Sequence, residues 1–100
     1  MKIKSLLIAN RGEIAVRIND TAKKLGIKTF GIKTAREPNA LYLKHVDNII
    51  DYSDDVSEIP EFLDIEKIIN AAKNSKVDAI HPGYGFLAES PYFAKRCEEE

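Results

Sequence analysis

Two stretches of this chain gather residue types that an ordinary connecting loop does not need. The first is Ile80-His81-Pro82-Gly83-Tyr84-Gly85-Phe86-Leu87-Ala88-Glu89-Ser90, which follows a short apolar run. Its glycines let a backbone approach a ligand closely, and Tyr84 offers a flat face. The plainer reading tucks Tyr84 and Phe86 into a core and leaves Glu89 to help start the next helix. The residues alone leave both open. Gly83-x-Gly85-x-x-Ala88 also fits the spacing of a dinucleotide-binding turn. That turn needs its helix to begin at the glycines, so that backbone N–H groups face a pyrophosphate. Here Ser90-Pro91 starts the helix several residues later, and the loop follows the fourth strand rather than the first. Dinucleotide binding is therefore set aside. His81 has no nearby serine, cysteine or carboxylate pair to complete a nucleophile system, so it reads as a hydrogen-bonded structural histidine at a strand end.

The second stretch is Asn10-Arg11-Gly12-Glu13, also after a strand and at a helix start. Such a place can hold an anion with Arg11 assisting. The favoured alternative is an internal cap, with Arg11 paired to an acidic neighbour. No residue is assigned a catalytic role. No metal site is expected either, since His45 has no partner at ligand spacing and Cys97 is a lone cysteine read as part of a helix core.

The elements that position these stretches alternate. Leu6 to Ala9 is a continuous apolar run, the pattern of a parallel strand covered on both faces. Asn10 and Glu13 then have capping-box spacing. Ile14, Ile18, Ala22 and Leu25 form a helical stripe that Gly26 closes. Lys28 to Ile32 reads as a second strand weakened by Gly31, which makes a right-handed βαβ unit. A polar connection, Lys33 to Pro38, leads to a short helix over Asn39 to Val46, a third strand at Ile49-Ile50 and a solvated loop from Ser53 to Pro60. Asp64 starts a helix with Ile65, Ile68, Ile69 and Ala72 on one face, ending at Asn74 or Ser75. Val77 to Ile80 is expected as a buried strand. Ser90 at N-cap and Pro91 at N1 open the last helix, with Phe93, Ala94 and Cys97 inward. The fold class is α/β with a parallel sheet, and residues 1–100 form one unit. Three glutamates, Glu98 to Glu100, oppose the dipole of that helix, and a further strand is expected to follow. The sequence is therefore expected to be a piece of a longer protein or a truncated gene product, its fold truncated at the C-terminal end.

Composition limits the partners. Fifteen basic and 16 acidic residues give a net charge of −1, which offers no field for nucleic acid or an anionic membrane. No apolar run approaches the roughly 20 residues of a membrane span. One cysteine among 100 residues excludes an internal disulfide and fits a reducing, cytoplasmic setting.

Leu7-Ile8-Ala9-Asn10-Arg11-Gly12-Glu13-Ile14-Ala15-Val16-Arg17-Ile18 and Ile80 to Glu89 resemble the two signature stretches of the biotin carboxylase N-terminal domain. That domain opens the biotin carboxylase part of acetyl-CoA, pyruvate, propionyl-CoA, methylcrotonyl-CoA and urea carboxylases. Leu25 to Thr29 and Phe62 to Ile65 fall where the family has similar residues. The resemblance implies a Rossmann-like, pre-ATP-grasp domain, incomplete at residues 1–100, with the ATP-grasp and C-terminal domains absent. It implies a parent ligase that uses bicarbonate and MgATP to carboxylate biotin on a carrier protein, with biotin, ATP and Mg2+ as cofactors. Gly83, Tyr84, Gly85 and Glu89 would lie on the biotin side of the site. The family's ATP-binding lysines, metal-binding glutamates and catalytic arginine belong to later segments, so these residues alone are expected to be inactive. Expected partners are the biotin carrier, the parent's ATP-grasp domain and a second copy through the first helix. There Asp20 and Lys24 stand where bacterial relatives carry a basic and an acidic residue, with the signs swapped.

The middle of the chain departs from the family. Ala35-Arg36-Glu37-Pro38 and His45-Val46-Asp47-Asn48 replace an Ala-Asp pair and a His-Val-x-x-Ala-Asp-Glu segment. Two rival readings are a stand-alone, non-catalytic interaction domain and the leading domain of another ATP-grasp ligase. The acceptor that the parent carboxylates is not encoded in these residues.

Overall fold

The computed structural model of the chain describes residues 3–53 and 61–100, and the side chains of all of these but Glu61 and Phe86. Four strands, β1 (Ser5–Ile8), β2 (Lys28–Thr34), β3 (Asn48–Tyr52) and β4 (Ala79–His81), alternate with three helices, α1 (Gly12–Lys24), α2 (Ile65–Ser75) and α3 (Pro91–Glu99). The strands form one parallel sheet in the order β3-β2-β1-β4. The interior strand β1 pairs Leu7 with Phe30 on one side and with Ile80 on the other. The α/β class and the parallel sheet thus stand as expected. Chain direction across the sheet reverses after β3, so the right-handed crossover rule puts α2 on the face opposite α1. Leu7, Ile8, Ile32, Ile68 and Ile69 are the large aliphatic residues that the core buries fully.

Helix ends follow local chemistry. Asp64 caps α2, its carboxylate accepting from Lys67 N at 3.2 Å. Ser90 Oγ accepts from Phe93 N at 3.2 Å, with Pro91 in the first turn of α3. At the far end of α1, Gly26 N donates to Lys23 O (3.0 Å) and Ile27 N to Ala22 O (2.9 Å). This is the paired closure expected of a glycine at φ +76°. Helix α2 closes in the same pattern, but Lys76 occupies the left-handed position at φ 57°. A non-glycine residue there is strained by roughly 1–2 kcal/mol, partly offset by its smaller unfolded-state entropy. Lys76→Gly is therefore expected to stabilise the chain by about 0.5–1 kcal/mol, read as a Tm increase of a few degrees. An unchanged or lower Tm would show that the lysine side chain contributes more than the strain costs.

Several expectations are corrected. The capping box does not form: α1 starts at Gly12 with Arg11 at N-cap and no side-chain cap, because Asn10 is used elsewhere. The inner face of α1 is Ala15, Asn19 and Ala22, with Ile14 and Ile18 half-buried and Leu25 exposed. Leu25 is the C-cap, off the helical path, and Ile27 turns in instead. The expected helix over Asn39 to Val46 is a 3-10 turn, Leu41–Lys44, that buries Tyr42 and Leu43. The Tyr42 hydroxyl donates to Ile32 O at 2.6 Å, fastening that turn to β2. Strand β4 is neither as early nor as buried as expected. Asp78 precedes it, its carboxylate accepting from Lys4 N (2.7 Å) and Ser5 N (3.1 Å), and Ala79 and Ile80 are half-buried at the sheet edge. On α3, Phe93 is buried and Cys97 half-buried, but Ala94 is exposed. Burial pushes the Cys97 thiol pKa up, which keeps it protonated and unreactive. The expected loop from Ser53 to Pro60 lies, from residue 54 on, outside the described residues.

Two of the terminal glutamates, Glu99 and Glu100, find cations. Arg96 makes a two-pronged pair with Glu66 (2.8 and 2.8 Å) and reaches Glu100 at 3.1 Å, while Lys73 Nζ lies 2.6 Å from Glu100. These contacts join α3 to α2 and offset the unfavourable helix-dipole term.

Candidate functional site

The loop after β1 and the loop after β4 leave the carboxyl ends of neighbouring strands. From β1 the chain proceeds to β2 on one side of the sheet, and later to β4 on the other. The two loops therefore diverge at the topological switch point, where open α/β sheets bind ligands.

Asn10 occupies that point. It is 2% exposed. Its Nδ2 donates to Pro82 O at 2.8 Å and to Tyr84 O at 3.0 Å, while its Oδ1 accepts from Arg11 N at 2.8 Å. Gly83, at φ +71°, passes so close that an added Cβ would lie 2.6 Å from Asn10 Nδ2. On the other side Gly83 N donates to His81 Nδ1 at 3.0 Å, so the structural reading of His81 holds. Tyr84, between these anchors, is 71% exposed. The reading that tucks it into the core fails, whereas the parallel expectation for Phe86 lies outside the described side chains. Gly85 follows at φ 70°, ψ −162°, a conformation open essentially to glycine alone. Nothing lies within 4 Å of where its Cβ would be. Backbone and ring are thus presented to solvent together.

Arg11 turns toward the loop after β2. Its guanidinium forms a two-pronged pair with Glu37 at 2.8 and 2.8 Å, which lowers the Glu37 carboxyl pKa and raises that of Arg11. Between the two readings of Arg11, the acidic-neighbour one is what the geometry shows. Glu13 runs along α1 to Arg17 at 3.5 Å, away from Asn10. Glu89 is exposed at the end of a 3-10 turn, Phe86–Glu89, that precedes α3. That turn also keeps the helix start away from the glycines, as the late Ser90-Pro91 cap required. The expected site residues therefore separate into a joined group (Asn10, Gly83, Tyr84, Gly85), an arginine committed to a carboxylate, and two peripheral glutamates. Sequence reasoning missed Glu37 as the specific partner, 26 residues from Arg11. The only available signal was that a loop arginine beside a buried strand end needs an anion. Among the described residues, no cluster of three or more His, Cys, Asp or Glu side chains could hold a metal, and no helix is long and apolar enough to cross a membrane.

The profile of the family described as "Biotin carboxylase, N-terminal domain" matches residues 2–100. The chain belongs to that family. It is 46% identical over 99 residues to a pyruvate carboxylase of Staphylococcus aureus, covering 99% of this chain and 9% of that relative. Biotin carboxylase 2 of Bacillus subtilis is 47% identical over 96 residues, covering 95% of this chain and 21% of the relative. A solved biotin carboxylase domain dimer of 2-oxoglutarate carboxylase from Hydrogenobacter thermophilus, in complex with MgADP, ADP and bicarbonate, superposes with a TM-score of 0.88 at 40% identity. It aligns with 99% of this chain, which covers 21% of it. The chain thus spans only a small part of these relatives. Its biotin carboxylase N-terminal domain carries Asn10, Gly83, Tyr84 and Gly85 on the face described above.

Proposed function

We propose that this biotin carboxylase N-terminal domain supplies the biotin-facing wall of an ATP-dependent ligase. That ligase uses bicarbonate and MgATP to carboxylate biotin borne on a carrier protein or domain. One observation carries the reading. The exposed Tyr84 ring and the Cβ-free Gly85 backbone stand side by side at the switch point, on a loop held from beneath by Asn10. A flat ring beside bare amide backbone suits a planar, polar ureido ring: one surface takes its face, and the peptide groups can take its edge. The ADP, magnesium and bicarbonate named for the Hydrogenobacter domain support the same chemistry.

In this reading the groups that bind ATP and Mg2+ lie in other segments, so these residues by themselves are inactive. The ATP-grasp domain of the parent packs against this one, and the enzyme works in the cytoplasm. A second copy docks through α1, where Asp20 and Lys24 are both exposed; the dimer named for the Hydrogenobacter domain supports this.

Tyr84→Ala in the complete polypeptide is expected to raise KM for biotin about tenfold, the worth of one aromatic contact of roughly 1.4 kcal/mol. It should lower kcat much less. An unchanged KM for biotin would remove Tyr84 from the biotin side.

A further inference from the structure

We infer that Asn10 is the positioning residue of the biotin-side loop: it braces the Pro82–Gly85 turn against β1 and so fixes where Tyr84 and Gly85 meet biotin. The inference rests on the reading of that loop given above.

Three observations carry it. First, Asn10 is committed on every side. Both of its Nδ2 donors and its Oδ1 are used (2.8, 3.0 and 2.8 Å) and the side chain is almost wholly buried. An amide so satisfied in a dry setting is rigid, because any other rotamer leaves buried polar groups unmet. Secondly, its two carbonyl partners straddle Gly83. Pro82 O and Tyr84 O are 72 and 74 residues away in sequence, and the glycine between them has no room for a Cβ against the amide. The turn is thus moulded on the Asn10 side chain, with His81 Nδ1 taking the Gly83 amide. Thirdly, the bracing strand is an interior one, paired on both sides. Ala9 N donates to His81 O at 3.0 Å, so β1 holds the beginning of the loop through its backbone and the middle through Asn10. The adjoining Arg11 is itself tied to Glu37 on the loop after β2. Three strand-end loops are linked through two consecutive residues.

Asparagine is the side chain this task needs. Aspartate has the same outline but no donors, and would face two carbonyl oxygens with a negative charge. Alanine would leave both carbonyls without their partner.

The test uses Asn10→Asp in the complete polypeptide, with Asn10→Ala carrying the same readouts should the aspartate variant not fold. Amide hydrogen exchange should accelerate by about tenfold or more at Gly83 and Ala88, the loop amides that are bonded in the native turn. The β1–β2 ladder should keep its protection. KM for biotin should rise by about 10- to 100-fold, the scale of an ångström-level misplacement, and kcat at saturating biotin should fall less. A merely structural role would lower Tm without separating KM from kcat. Unchanged exchange at Gly83 and Ala88 in a folded variant overturns the brace itself. Accelerated exchange with an unchanged KM for biotin overturns the biotin reading on which it rests.

Discussion

Gly83→Ala is expected to destabilise the domain by about 2–5 kcal/mol. Two costs add. An L residue at φ +71° is strained by roughly 1–2 kcal/mol. The new Cβ would also sit 2.6 Å from Asn10 Nδ2, and pushing that buried amide off its two carbonyls costs about 1–3 kcal/mol. Gly26→Ala is the matched control. Its φ is similar, +76°, but its surroundings are open, so only the backbone cost applies. Denaturant midpoints at constant slope measure both variants. Equal losses at the two positions would mean that the Asn10 contact contributes nothing beyond backbone strain.

Thr29→Val is expected to cost about 2–4 kcal/mol, although it exchanges a hydroxyl for a methyl of similar size. Thr29 is fully buried. Its hydroxyl donates to Asn19 Oδ1 at 2.7 Å and accepts from Asp47 N at 3.0 Å. Asn19 Nδ2 in turn donates to His45 O at 3.1 Å. This chain of bonds ties α1, β2 and the entry to β3, and valine would leave Asn19 Oδ1 and the Asp47 amide unmet. Equilibrium unfolding that shows a loss below about 1 kcal/mol, the net worth of one ordinary hydrogen bond, would show that the network carries no excess.

The acid limb of the stability curve separates two parts of this network. Asp47 has its carboxyl pKa lowered, first by the Thr29 backbone amide and also by Lys23. A carboxyl depressed in the folded state contributes stability that is complete above its ordinary value of 3.8. That contribution is lost as the pH falls through the lower folded-state value. Valine at position 29 keeps the backbone N–H, so the curve should drop overall without losing its acid limb.

Asn19 also shows where sequence reading stops. As an asparagine in mid-helix it reads as a weak helix former. It is the buried hub of α1, and its partner at His45 lies 26 residues on. Local propensity has no access to that bond. The alternation of strands and helices was legible because apolar runs, Gly26, Asp64 and Ser90-Pro91 act through near neighbours. The phase of α1 was misjudged for the same reason: Leu25 continues the apolar period, but the turn at Gly26 takes it off the helix and Ile27 replaces it. At the site, the strand-end position and the late helix start after Gly85 could be read directly. The exposure of Tyr84 could not, since a tyrosine in a glycine loop is equally at home in a core. Asn10 looked like a helix cap because its partners across β1 and β4 are more than seventy residues away. Glu37, which looked like a departure from the family pattern, supplies the anion that Arg11 needs.

The most direct test of the central claim is transfer of radiolabelled bicarbonate carbon to free biotin by the complete polypeptide that carries this domain. The account predicts acid-labile carboxybiotin that forms only with ATP and Mg2+, with a KM for biotin that rises on Tyr84→Ala. A folded polypeptide that turns over ATP with a different acceptor, and leaves biotin unlabelled, would contradict it.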